Sequence, residues 1–160
     1  MKPKILISAC LVGENVKYDG GHNLCEHHLL KQWQEDGCLV LACPEVLGGM
    51  STPRVPCEVQ QGTFRVKNKQ GEECTHFFKS GTEKTCALVL KENIHMAILK
   101  ARSPSCGKGL IYDGSFSRTL VQADGITCKA LQEQGIRVFC EDELEEAHRY
   151  WQSLKTQQSF

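Results

Sequence analysis

Ten cysteines in 160 residues, at 10, 25, 38, 43, 57, 74, 86, 106, 128 and 140, hold most of the chemical capacity of this chain. In a secreted protein such a count suggests disulfides, whereas in a reducing compartment it points to metal or thiol chemistry. No C-x-x-C occurs anywhere, which excludes paired zinc knuckles, the thioredoxin motif and ferredoxin-type runs as local motifs. Any metal site must therefore be assembled from distant segments. Three cysteines stand out by their flanks. Cys10 precedes the polar loop "LVGENVKYDGG", Cys43 opens the Gly- and Pro-rich "CPEVLGGMSTPRVP", and Cys106 lies in "RSPSCGKG". Each of these loops carries the turn residues that let backbone approach a bulky group.

What must position them is a set of apolar runs. "KILIS" (4–8), "CLVLA" (38–42), "MAILK" (96–100) and "RVFC" (137–140) read as buried strands of a parallel sheet. Helical patterns alternate with them. "CEHHLLKQWQEDG" places Leu29, Leu30 and Trp33 on one face and stops at Gly37, and Ala123, Ile126, Thr127, Ala130, Leu131 and Gln134 follow helical spacing up to Gly135. A longer helix is expected over 75–93 despite Gly81. The last helix is expected to start at Asp142, with Glu145 as its capping partner, and to bury Leu144, Ala147, Trp151 and Leu154. "TFRVKNKQGEE" (63–73) reads as a small inserted β-hairpin. The fold class is thus α/β: a Rossmann-like parallel sheet of about four to five strands, helices on both faces and a small β-hairpin insertion, forming a single domain over 1–160.

In open parallel sheets ligands bind beyond the carboxyl ends of the strands, near the point where strand order reverses. Cys10, Cys43 and Cys106 follow three successive strands, so they are expected to converge on one crevice. Cys140 also ends a strand, but an edge strand would hold it away from that crevice, and a structural role is expected. The remaining cysteines read as small core residues. His22, His27 and His28 beside Cys25 read as a polar helix start rather than as ligands. Three thiolates suit two metals: zinc with one open position, or a 4Fe-4S cluster with one iron open to substrate. "CPE" is reminiscent of the deaminases' pairing of ligand and acid glutamate, but their P-C-x-x-C segment is missing. Wide separation of the three ligands favours the larger group.

Nineteen Lys and Arg balance nineteen Asp and Glu, so no basic excess suggests a nucleic-acid grip. The apolar stretch near the N-terminus is too short for a signal peptide, and no stretch approaches a bilayer span. A cytoplasmic protein with a small-molecule partner is expected, without membrane or nucleic-acid partners, as a monomer or weak homodimer.

"ISACLVGENVKYDGG", "CPEVLGGMSTPR", "RSPSCG" and "IYDGSFSRTLVQADGIT", covering about residues 4–145, resemble the successive signatures of the thiouracil desulfidase family. The resemblance implies an enzyme with a 4Fe-4S cluster held by Cys10, Cys43 and Cys106, an acid/base glutamate at Glu45 and an active-site serine at Ser103. The reaction it implies is redox-neutral conversion of 4-thiouracil or 2-thiouracil to uracil and hydrogen sulfide. Tyr18, Asp19, Asn23, Arg54 and Asp113 lie in the same loops and are candidates for reading the pyrimidine or balancing the cluster's charge. Two alternatives differ in class: a zinc-dependent hydrolase of a nucleobase-like substrate, and a non-enzymatic cluster or thiol sensor.

Overall fold

The computed structural model describes residues 2–157; the single-domain reading over 1–160 runs past them at both ends. The four apolar runs form the expected strands, β1 (Ile5–Ser8), β2 (Leu39–Ala42), β5 (Met96–Leu99) and β8 (Arg137–Cys140). They make one parallel sheet of order β2-β1-β5-β8. From β1 the chain crosses first to β2 on one side and later to β5 on the other, so strand order reverses beside β1. The pleat sends alternate residues to opposite faces. Ile5, Ile7, Met96, Ile98 and Phe139 pack under α1 (His28–Glu35) and α5 (Leu144–Gln157). Leu6, Ala97, Leu99 and Val138 pack under α3 (Thr75–Lys91) and α4 (Ile126–Glu133). Helices thus cover both faces, as the continuous apolar character of the strands requires.

Several boundaries differ from the sequence expectation, each for a local reason. α1 starts at His28 because the Nδ1 of His27 accepts the Leu29 N–H at 3.1 Å and caps the helix. α5 is preceded by a 3-10 turn over Glu141–Glu143, and the capping carboxylate is Glu143, which accepts the Cys140 N–H at 3.0 Å, instead of Glu145. Leu144, Ala147, Trp151 and Leu154 are buried as expected. The inserted hairpin pairs β3 (Cys57–Val59) with β4 (Val66–Asn68), so its first strand lies before the expected 63–73 segment. Val59 opposite Val66 sets that register by burying both beside Phe78 and Ile111. A second hairpin, β6 (Leu110–Tyr112) with β7 (Leu120–Gln122), was not anticipated.

Gly81 in the middle of α3 has a packing reason. A Cβ there would sit 1.8 Å from the carbonyl oxygen of Pro44, and one at Gly48 would sit 1.9 Å from that of Phe77. The two glycines let the one-turn helix α2 (Pro44–Leu47) lie directly on α3. That contact fixes the segment just after Cys43.

Candidate active site

A cavity of about 600 Å³ opens beyond the carboxyl ends of β1, β2 and β5. Cys10, Cys43 and Cys106 all line it, together with Glu45, Ser103 and Ser105. The local folding of each segment explains why. Cys10 lies in a 3-10 turn, Ala9–Val12, that ends at the left-handed Gly13. Cys43 is the residue before α2, where Pro44 at the first helical position starts the turn and places Glu45 one residue further along. Cys106 lies within a tight turn closed by a bond from the Gly107 N–H to the Ser103 carbonyl at 2.8 Å.

Cys106 is buried and Cys10 and Cys43 are partly buried, and burial raises the pKa of each. Opposing bonds favour the thiolates. The Asn23 side chain and the Lys100 ammonium act on Cys10, and the Val46 N–H acts on Cys43. Cys106, pushed up to about 12 by burial, is held by the hydroxyl of Ser8, with the Ser105 oxygen 3.6 Å from its sulfur. Ser8 Oγ accepts the Lys100 N–H at 2.9 Å, which leaves its own hydrogen for the Cys106 sulfur.

Glu45 has a defined set of partners. Arg54 Nε donates to Oε1 at 3.2 Å, and Ser105 Oγ donates to Oε2 at 3.0 Å. Ser103 Oγ accepts the N–H groups of Ser105 and Cys106, at 3.2 and 3.1 Å. With both lone pairs used, its hydrogen must point at Ser105 Oγ, 3.1 Å away. Ser105 then gives its single hydrogen to the carboxylate, and the chain of donors runs Ser103, Ser105, Glu45. Ser105, which the sequence reading passed over, is therefore the serine in direct contact with Glu45, and Ser103 stands one step behind it. Both were visible in "SPSC", but only the turn geometry separates their roles.

The other candidates divide. Tyr18, Asn23 and Arg54 line the cavity. Arg54 is only 7% exposed and also donates to the Val16 carbonyl at 2.9 Å and to Ser51 and Thr52, so it clamps two loops as well as Glu45. Asp19 and Asp113 are not among the lining residues. Asp19 accepts the Gly21 N–H at 2.9 Å and pairs with Lys17, and Asp113 accepts the N–H and hydroxyl of Ser115. Both carboxylates brace turns, and these bonds hold their pKa values below the ordinary range. Cys57 lines the cavity too, whereas Cys140 does not.

Charge is distributed unevenly in this neutral chain. Lys17, Arg54, Lys69, Lys100, Arg102 and Arg118 face the cavity against only Glu45 and Glu58. The site favours an anionic occupant.

The family model for 2-thiouracil desulfurase matches residues 5–143. The protein YbbK of Bacillus subtilis (strain 168) is 39% identical over 148 residues, covering 88% of this chain and 97% of its own. A solved structure of the [4Fe-4S]-dependent thiouracil desulfidase TudS is 40% identical with a TM-score of 0.87, covering 91% of this chain and 95% of that one. The order of strands, the three strand-end cysteines and a family match over most of the chain agree: this protein belongs to the 2-thiouracil desulfurase family.

Proposed function

We propose that this protein is a 4Fe-4S-dependent enzyme that removes sulfur from a thiolated pyrimidine, converting 4-thiouracil or 2-thiouracil with water to uracil and hydrogen sulfide. The observation that carries this reading is the convergence of Cys10, Cys43 and Cys106, from three separate strand ends, on one cavity beside the Glu45 carboxylate. The donor set fits the cluster. Thiolates are its ordinary ligands, and the basic lining suits a group made anionic by three of them. A single zinc ion needs its sulfur donors about 2.3 Å from one centre. Among the described residues no three Cys, His, Asp or Glu side chains stand close enough for that. A cluster several ångströms across takes one thiolate at each of three corners.

When bound, such a cluster supplies an iron without a protein ligand, which attracts soft sulfur and leaves the attached ring carbon electrophilic. The protein's own groups do the rest. Glu45 takes a proton from the attacking water and returns it to the ring or the leaving sulfur. Its 3.2 Å bond to Arg54 and 3.0 Å bond to Ser105 hold the carboxylate in a fixed orientation with lone pairs left for water. Ser103 orients Ser105 and, through it, Glu45. Tyr18 and Asn23 border the substrate, and Asn23 also steadies Cys10. Sulfur enters and leaves in the same oxidation state, so no external reductant is needed.

Among the described residues no helix is long and apolar enough to cross a membrane. The ten unpaired thiols favour a reducing cytoplasmic setting, and the chain acts alone or as a weak homodimer on a free base. Anaerobic reconstitution followed by iron and sulfide assays tests the reading. The expected result is brown protein with about four irons per chain, releasing sulfide and uracil from free thiouracil faster than from thiolated tRNA. Colourless protein that hydrolyses a nucleobase in air would favour the zinc alternative. Loaded protein that turns over no thiolated pyrimidine would favour the sensor.

A further inference from the structure

The tip of the β6–β7 hairpin holds an arrangement that folding does not explain. Four non-glycine residues among the described residues have left-handed backbone, and three of them, Arg102 (φ 68°), Phe116 (φ 59°) and Arg118 (φ 60°), line the cavity. Left-handed backbone costs a bulky L-residue about 1–2 kcal/mol and persists only where neighbours enforce it. Here the enforcing groups come from β3 and the turn after it. Glu58 Oε1 accepts the Gly114 N–H at 2.9 Å and the Phe116 N–H at 3.2 Å, and Gln60 Nε2 donates to the Gly114 carbonyl at 3.1 Å. The result is a partly buried Phe116 held among the residues that line the cavity. Phe116 belongs to none of the three apolar clusters that form the core and is only partly buried.

We propose that Phe116 is a specificity-determining residue, the platform on which the planar heteroaromatic ring of the substrate stacks opposite the thiol-lined end of the cavity. The proposal rests on the desulfuration reading for the identity of that ring but not for its shape. An aromatic face stacks on any flat, electron-poor ring, independently of whether the ring carries sulfur or oxygen. It therefore holds substrate and product alike, while the sulfur is recognised elsewhere. Bracing the tip from β3 keeps the platform in place before a ligand arrives, which lowers the ordering cost on binding.

The test is equilibrium dialysis of labelled uracil against anaerobically loaded protein, for the parent and for Phe116→Ala, Phe116→Leu and Phe116→Tyr. Removal of one ring–base stack weakens binding by about tenfold, so the alanine variant should bind uracil about tenfold more weakly. The leucine variant, which keeps apolar bulk without a π face, should lose nearly as much. The tyrosine variant should stay within about threefold of the parent. If the alanine variant loses its iron, the leucine and tyrosine variants decide. No uracil binding by the parent, equal binding by the parent and the alanine variant, or leucine binding as tightly as phenylalanine overturns the proposal. Sulfide release is scored separately. A protein that binds uracil through Phe116 but releases no sulfide overturns the desulfuration reading and keeps the platform. One that releases sulfide with dialysis unaffected by the substitutions does the reverse.

Discussion

All four strands of the sheet end on the same edge, and a cysteine lies at or beyond each end, yet the end of β8 differs from the other three. After β1, β2 and β5 the chain makes one short turn, the 3-10 turn Ala9–Val12, the four-residue α2 and the turn Ser103–Gly107, before it enters irregular loops, and Cys10, Cys43 and Cys106 line one cavity. After β8 a 3-10 turn leads directly into the fourteen-residue helix α5, with no loop between, and Cys140 stays outside the cavity. The polar surroundings are opposite in sign. Six basic side chains face the cavity, whereas burial and then the charges of Glu143, Glu141 and Asp142 raise the pKa of Cys140, against the Asp142 N–H, which lowers it. A thiol at a strand end becomes a candidate ligand only when the loop beyond it frees backbone and brings compensating charge. Where the chain continues without a loop into a long packed helix, the same position serves that helix's cap.

The largest expected effect breaks this comparison at its centre. Cys43→Ser should lose most of the iron on anaerobic reconstitution and with it all sulfide release, whereas Cys140→Ser should keep both. Iron assays on the two variants check it. A full cluster in Cys43→Ser, or a depleted one in Cys140→Ser, would reverse the assignment of the two kinds of strand end.

Next comes the carboxylate that separates binding from chemistry. Glu45→Gln keeps size and most hydrogen bonding but not the base. It should retain colour and thiouracil binding while turnover falls by roughly 100-fold or more, the usual worth of a general base. A variant that instead loses its iron would make Glu45 a ligand. Ser105→Ala removes the donor on Oε2 and leaves Arg54 on Oε1. Turnover should fall by about tenfold, the factor that corresponds to one hydrogen bond of about 1.4 kcal/mol, with KM little changed. Ser103→Ala, one step further back, should cost less, and a larger loss than for Ser105→Ala would invert the order of the two serines.

Much of this was legible in the sequence because the strands are short continuous apolar runs and their ends are marked by Gly, Pro and Ser. That pattern alone placed Cys10, Cys43 and Cys106 together. What it could not give was decided by geometry of a few residues. Strands of three residues, such as β3 and β4, carry too little period to fix a register, so the hairpin was set too far along the chain. Asp113, polar and beside a glycine, had the look of a group that reads the substrate but is held by Ser115 in its own turn. Phe116, three residues on, had no polar signal at all, and nothing in a phenylalanine announces left-handed backbone.

The smallest effect tests the quiet strand end. Glu143 accepts the Cys140 N–H at 3.0 Å and pairs with Lys108 at 3.0 Å, with both side chains about one-third exposed or less. Partial burial by itself would raise the Glu143 pKa, but the Cys140 N–H and the Lys108 ammonium outweigh it and hold the carboxyl below its ordinary value. A depressed folded-state pKa means stability that is fully present above the unfolded value of about 4.3 and lost as pH falls through the folded value. Glu143→Gln should therefore lower stability by about 1 kcal/mol at pH 7, the scale of a helix cap and a partly screened ion pair. The difference between the parent and the variant should shrink as the pH falls below about 4.3 and be smaller at pH 3 than at pH 7. Urea denaturation of the two proteins at both pH values measures this, with iron content and sulfide release per loaded chain unchanged, because the cap acts on α5 and not on the cavity. A variant as stable as the parent at pH 7 would remove the cap from the account of why β8 ends differently, and a variant with altered iron content would connect the two kinds of strand end after all.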